Sequence, residues 1–231
     1  TRACGFCLVD TRRPGGLDPG EPLRVAEAVA EMGLAHAVVT AVARDDLVDG
    51  GASAFVATIR VVREVNPETA VEVLIPDCKG DPEALAAIFD ARPDVLNHNI
   101  ETVARLQRRV RPSASYARSL SVLARAKAAG LATKSSIMVG IGETDDEVDA
   151  CLADLAALGC DIVTIGQYLR PTTNHLPIER WVEPAVFGRW TEVGLALGIA
   201  HVEASPLTRS SYHARQAADA AGAVPVVLAA R

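Results

Sequence analysis

The chain has 231 residues, 49% of them hydrophobic and 23% charged, with a formal net charge of −6. That composition suits a globular protein with its own full core, and the acidic balance argues against a surface that wraps nucleic acid. No apolar run reaches the roughly 18 residues of a membrane span, and nothing reads as a secretory signal, so neither nucleic acid nor membrane is expected as a partner.

The five cysteines, Cys4, Cys7, Cys78, Cys151 and Cys160, are odd in number and scattered apart from one close pair. This is no secreted disulfide framework, and a reducing compartment, the cytoplasm, is expected. Aromatic residues are only 4%, so the core must be aliphatic.

After the cysteine pair come turn formers, Pro14-Gly15-Gly16 and Asp18-Pro19-Gly20. The pattern then predicts a helix from Pro22 to Met32, stopped by Gly33, and a strand from Ala35 to Thr40 that runs into Arg44-Asp45-Asp46. A helix from Ser53 to Val65, a strand from Val71 to Ile75 and a helix from Pro82 to Ala91 follow. Next are a strand at Val95–Ile100, helical segments from Val103 to Ala129, and a strand from Lys134 to Val139 that leads into Gly140-Ile141-Gly142-Glu143. A helix to Leu158, a strand from Asp161 to Gly166, a helix from Pro184 to Leu197 and a short strand at His201–Glu203 complete the series.

Strands alternating with helices imply right-handed βαβ units and a parallel sheet, and five or six units favour a full or partial barrel. No Gly-x-Gly-x-x-Gly follows the first strand, which removes the best reason to choose a dinucleotide-binding sheet. The polar clusters Arg44 to Asp46, Asp77, Asn99 to Glu101, Gly140 to Glu143 and Gln167 to Arg170 all fall at strand C-terminal ends. Any one of them could be a helix cap, but five in succession point to a shared active face at the barrel mouth.

Cys4-Gly5-Phe6-Cys7 is by itself open to three readings. A thioredoxin-like pair needs a preceding strand and a following helix; half a zinc site needs a second pair of ligands; an iron–sulfur cluster can take three closely spaced thiolates. Gly140 and Gly142 could make a tight turn, or let backbone approach a flat ligand. Arg209-Ser210-Ser211-Tyr212-His213 shows no periodicity and reads as a surface loop, although a serine oxygen can bind iron if held close. Cys151 and Cys160 lie in helical surroundings and read as buried small hydrophobes. Arg105, Arg108, Arg109, Arg111 and Arg118 form a basic cluster, either a solvated helix face or a docking patch for an acidic partner.

Together these stretches closely resemble one family, lipoyl synthase, from Thr1 to about His213. Cys4-Gly5-Phe6-Cys7 is similar to the end of its Cys-x3-Cys-x2-Cys motif. Val39 to Leu47 with Asp49-Gly50-Gly51-Ala52, His98 to Val103, Val110-Arg111-Pro112 and Thr133-Lys134-Ser135 resemble its later signatures. So do Met138 to Thr144, Thr164 to Thr172, His175-Leu176-Pro177 and Arg209 to His213.

The resemblance implies a partial parallel (β/α)6-type, TIM-like barrel of the radical S-adenosylmethionine (SAM) kind over residues 1–204, with a C-terminal extension over 205–231. It implies two 4Fe–4S clusters. One is held by Cys4, Cys7 and a cysteine before Thr1, and cleaves SAM to a 5′-deoxyadenosyl radical. The auxiliary one, bound partly by Ser210, supplies sulfur to the sixth and eighth carbons of a protein-bound octanoyl group. Thr40, Arg44, Asp45, Asn99, Glu101 and Glu143 are then expected around SAM, with Gly140 and Gly142 admitting its adenine and Lys134 or Arg170 meeting its carboxylate. Octanoylated lipoyl carrier domains or the glycine cleavage H protein would be the substrates, and ferredoxin or flavodoxin the electron donor. The first cysteine of the motif, the first barrel strand and the auxiliary-cluster cysteines are not in the sequence. The chain as it stands is therefore expected to be an inactive fragment of an active enzyme, unable to complete either cluster. A biotin synthase-like sulfur inserter would share the cysteines but not the Arg-Ser-Ser-Tyr ending, and a cluster-free carrier-binding protein is the remaining alternative.

Overall fold

The computed structural model describes residues 1–12 and 14–223. Six parallel strands lie side by side in chain order: β1 (His36–Thr40), β2 (Ala70–Leu74), β3 (Val95–Asn97), β4 (Ala132–Val139), β5 (Ile162–Gln167) and β6 (His201–Ser205). Helices α1 (Glu21–Glu31), α2 (Ala52–Val65), α3 (Pro82–Asp90), α4 (Gln107–Val110), α5 (Tyr116–Ala128), α6 (Asp145–Ala157), α7 (Pro184–Ala196) and α8 (Ala214–Ala220) complete the chain. Sequential parallel order with intervening helices is the arrangement of a partial barrel.

The expected elements are present, with shifts that have local causes. The expected strand at Val95–Ile100 stops at Asn97, because the chain turns and rejoins β4 only at an isolated bridge between Glu101 and Ile137. The expected helical stretch from Val103 to Ala129 is broken at Arg111, whose extended-side backbone precedes Pro112. Ser115 then caps α5 by accepting from the Arg118 amide. α6 begins with a reciprocal cap between Thr144 and Glu147. Cys160 is buried as expected, but in the turn that enters β5 rather than in a helix, its thiol directed at the Thr133 and Ile162 carbonyls.

α8 was not anticipated. Its Ala217 and Ala218 pack against Val95 and Ile162, the first residues of β3 and β5, and so cover the N-terminal end of the barrel. Seven residues rich in alanine carry no wide apolar stripe, only high helix propensity. The expected boundary at residue 204 falls within β6, and residues 224–231 of the expected extension lie outside the described residues.

Alternation divides each strand between two environments. Val71 and Val73, Ile137 and Val139, and Val163 and Ile165 face the outer helices, packing with Ile59, Leu85, Leu152 and Trp190. The alternate positions point into the barrel, and there the lining is polar. Glu72 and Lys134 are both 0% exposed and meet at 3.0 Å, with Asn97 donating to Glu72 at 3.0 Å and the His36 ring 3.3 Å away.

Candidate active site

Residues 2–7 cross the C-terminal end of the barrel and are tied down at both ends. The Arg2 guanidinium forms a fork with Asp45, at 2.7 and 2.8 Å, and reaches Asp77 at 2.5 Å. Asp77 is fully buried and also meets Arg118 at 3.2 Å. Gly5 donates to the Val110 carbonyl and accepts from the Leu176 amide, both at 2.9 Å, and the His175 ring lies 3.1 Å from the Cys7 carbonyl. A Cβ on Gly5 would stand 2.8 Å from Leu176 Cγ, so this close crossing requires glycine. Both cysteines are partly exposed free thiols. Burial pushes the Cys4 thiol up, against the opposing field of Arg111 and with a further push from Glu101.

A cavity of about 320 Å³ opens between this segment and the barrel wall. Phe6 lines one side and Thr208, Arg209 and Ser210 another; Asn99, Glu101, Ser136, Met138 and Gly166 form the wall. Glu101 has φ +64°, a left-handed backbone that a non-glycine residue adopts only at a cost. Burial pushes its carboxyl up, although Arg111 and the Asn99 amide, donating at 3.0 Å, both favour the charged form. The Asn99 side-chain carbonyl oxygen is buried with no hydrogen-bond partner, an acceptor available to a ligand. Arg111 fixes the backbone here by donating to the Asn99 and Ile100 carbonyls at 3.1 and 2.9 Å.

The expected site residues thus separate. Asn99, Glu101 and Ser210 line one cavity together with Phe6, whereas Cys4 and Cys7, on the same short segment as Phe6, are not part of its lining. The others are engaged within the protein. Lys134 departs furthest: it is enclosed in the barrel against Glu72, so no ligand at the mouth reaches its ammonium. Asp45 is held by Arg2, whose hydrogen bonds keep its carboxyl below the usual range. Arg44 makes a fork with Asp46, and Thr40 donates to the Leu74 carbonyl at 3.0 Å. Arg170 donates to the His175 and Thr173 carbonyls, so it shapes its own loop.

The glycine turn after β4 is likewise internal. Glu143 accepts from the Gly140 and Ile141 amides at 2.6 and 2.9 Å. A Cβ on Gly140 would overlap the Gln167 side chain and the Arg180 carbonyl, so protein rather than a flat ligand fills the space beside it. Gly142, at φ +118°, meets the Glu179 and Arg109 side chains.

The basic cluster is dispersed as well. Arg105 pairs with Glu147, Arg109 with Glu179 and Arg118 with Asp77, while Arg111 is buried. Sequence reasoning missed Arg2, Ser136, Met138, Gly166 and Thr208. Strand alternation from Lys134 would have pointed Ser136 and Met138 inward; Arg2 and Thr208 carry no such signal.

The sequence matches the Radical SAM superfamily over residues 1–166. It is 57% identical over 218 residues to the lipoyl synthase of Rubrobacter xylanophilus, covering 94% of this chain and 68% of that one. It is 55% identical over 214 residues to that of Mycobacterium leprae, covering 93% and 68%. The chain belongs to the lipoyl synthase family, within the Radical SAM superfamily. Two solved structures share the fold at low identity. Streptococcus suis SuiB bound to S-adenosylmethionine aligns with a TM-score of 0.69 at 10% identity, over 90% of this chain and 48% of that one. Methylornithine synthase (PylB) aligns at 0.62 and 15% identity, over 91% and 70%. Among the described residues no helix is long and apolar enough to cross a membrane.

Proposed function

We propose that this chain forms the barrel of a radical SAM lipoyl synthase, which inserts sulfur at the sixth and eighth carbons of a protein-bound octanoyl group. The observation that supports this best is the shared cavity, with the cysteine segment on one side, Asn99 and Glu101 on the wall, and Ser210 opposite.

The donors suit the iron–sulfur role in kind. Cys4 and Cys7 are soft, partly exposed sulfur donors on the segment whose Phe6 lines the cavity, the ligand type that cluster binding requires. Among the described residues no group of three or more His, Cys, Asp or Glu side chains could by itself hold a metal ion; the resemblance puts the motif's first thiolate before Thr1. One-electron cleavage of SAM is the chemistry such a cluster supplies when bound. The residues of this chain bind and enclose. The unpartnered Asn99 oxygen and the Glu101 carboxylate, both on the cavity wall, would accept hydrogen bonds from SAM's ammonium or ribose hydroxyls. Phe6, Met138 and Leu169 supply apolar lining beside the space where a radical would react. Ser210 would contribute its oxygen to an auxiliary 4Fe–4S cluster. Octanoylated carrier domains or the glycine cleavage H protein as substrate, ferredoxin or flavodoxin as reductant, and a cytoplasmic location complete the reading.

The test is anaerobic reconstitution of the protein bearing both complete sets of cluster cysteines, with iron and sulfide counting, then assay on an octanoylated peptide. Two clusters per chain and lipoyl product are expected. SAM cleavage without sulfur insertion would overturn the assignment.

A further inference from the structure

The segment that carries Ser210 leaves the end of β6 and folds back over the mouth of β5, where it meets Gly166. Gly166 points into the barrel, in register with Met138 on one side and Ser205 on the other. A Cβ there would overlap the Thr208 carbonyl oxygen and come 3.2 Å from the Arg209 guanidinium. Backbone cannot move aside as the end of a flexible side chain can, so only glycine admits the segment at this depth. Thr208 is 1% exposed. Its amide donates to the Ser205 carbonyl at 3.1 Å, and the two hydroxyls share a hydrogen bond of 2.8 Å. The Arg209 guanidinium folds back onto the Thr208 carbonyl at 2.6 Å.

We infer that Gly166, with the Ser205–Thr208 hydroxyl pair, is a seat that fixes the depth and direction of the Arg209-Ser210 segment over the cavity. Gly166 and Thr208 are thus positioning residues for Ser210, acting through backbone rather than through contact with substrate. The seat itself stands on the packing just described; its importance to the reaction rests on the auxiliary-cluster role proposed for Ser210.

The seat also explains a feature that Ser210 alone does not. The residues beyond Thr208 lack strand or helix partners until α8, and Tyr212 and Ser210 would otherwise be free to swing with the loop. Between Thr208 and α8 the links are weak: His213 stands 3.7 Å from Glu203, with the two side chains 49% and 25% exposed. α8 holds the far end of the segment, and immobilisation at the cavity falls on Thr208 and the bare Cα beneath it.

The experiment compares Gly166→Ala, Thr208→Val and Thr208→Ser with the parent protein and with Gly188→Ala, a helix position where an added Cβ meets nothing within 4 Å. In the protein bearing both complete sets of cluster cysteines, hydrogen exchange across residues 207–212 is measured, together with the electron paramagnetic resonance spectrum of the reduced auxiliary cluster. Loss of the buried hydroxyl pair in Thr208→Val should accelerate exchange in that segment roughly fivefold, and Gly166→Ala should do so by more. Exchange in β2 and α2 should stay unchanged, and Thr208→Ser should restore the parent rate. The auxiliary-cluster spectrum should broaden or lose intensity in the same two variants. Unchanged exchange in both, or equal acceleration throughout the chain, overturns the seat. Local loosening with an unaltered auxiliary spectrum upholds the seat and instead overturns the ligand role of Ser210.

Discussion

The two halves of the barrel mouth are built from similar residues and do different work. Above β1 and β2, three carboxylates at the rim meet guanidinium groups: Asp45 meets Arg2, Asp46 meets Arg44, and Asp77 meets both Arg2 and Arg118. Above β3 to β6 the outer loops are paired too, Glu147 with Arg105 and Glu179 with Arg109, but at the cavity Glu101 has only an amide partner from Asn99, and the Asn99 oxygen has none. Paired charges fix loops, whereas under-satisfied groups beside a cavity remain available to a ligand. The first half is therefore a scaffold that carries the cysteine segment, and the second is the surface that segment faces. If so, scaffold substitutions should cost stability, and site substitutions should cost activity with little loss of stability.

The largest effect should come from beneath the mouth. Lys134→Met removes the cation facing Glu72 at zero exposure and leaves it only the Asn97 amide and the His36 ring, and breaking such a pair costs about 3–5 kcal/mol. The double variant Glu72→Leu/Lys134→Met removes both charges and should recover most of that loss in urea denaturation. A lone Lys134→Met as stable as the parent would mean that Lys134 is not a scaffold residue, and would return it to the list of ligand candidates.

His98 gives the next effect, as a pH dependence. Its ring lies 2.9 Å from the Ile75 carbonyl and 3.0 Å from the Ser119 hydroxyl, and burial, helped by Arg111, lowers its pKa from 6.5 to about 4. The folded pKa is below the unfolded one, so this stability is complete above pH 6.5 and is lost as pH falls through 4. The loss should approach about 3 kcal/mol. His98→Asn should flatten the stability curve in that window, and an unchanged curve would refute the assignment.

Asp77→Asn should cost somewhat less, about 1.5–3 kcal/mol, as expected for hydrogen bonds to a charged group. Burial opposes ionisation of Asp77, but Arg2 and the Lys79 amide outweigh it and hold the carboxyl below its usual range. Its contribution is therefore present above the ordinary carboxylate pKa and fades as pH falls through the depressed one. Limited proteolysis should show residues 1–7 released before the sheet unfolds; simultaneous loss would mean the anchor is global rather than local.

The sequence made the barrel legible because alternation and helix punctuation are local signals, and they placed the polar strand ends on one face. It could not tell scaffold from site within that face. Asp45 and Glu101 are alike as residues at strand ends. What separates them is Arg2, which lies 43 positions from Asp45 in the chain and meets it only after folding. Gly140 looked like a ligand-facing glycine for a similar reason, since the Gln167 side chain and Arg180 carbonyl that crowd it come from later loops. Lys134 misled because alternation shows which side of a strand a residue faces but not how deep in the barrel it lies. Ser210 was identified by resemblance alone, and its seat on Gly166 depends on a backbone contact that no local pattern records.

The smallest effect on stability, and the sharpest test of the comparison, belongs to Glu101. Burial raises its folded pKa, so the stability linked to this group is present below the unfolded value and is lost as pH rises through the folded one. Above that folded pKa the ionised carboxylate is thus a modest burden on the fold, and Glu101→Gln should there raise Tm by roughly 2–4 °C. The neutral amide keeps the shape and one acceptor, so the advantage should shrink as the solution is acidified and the parent carboxyl protonates. The same variant should abolish SAM cleavage if the carboxylate meets the ligand's ammonium or ribose. A stability gain joined to loss of activity marks a residue retained for function rather than folding. A fall in Tm at pH above that pKa would place Glu101 with Asp45 and Asp77 among the scaffold residues, and the division of the mouth into two halves would fail.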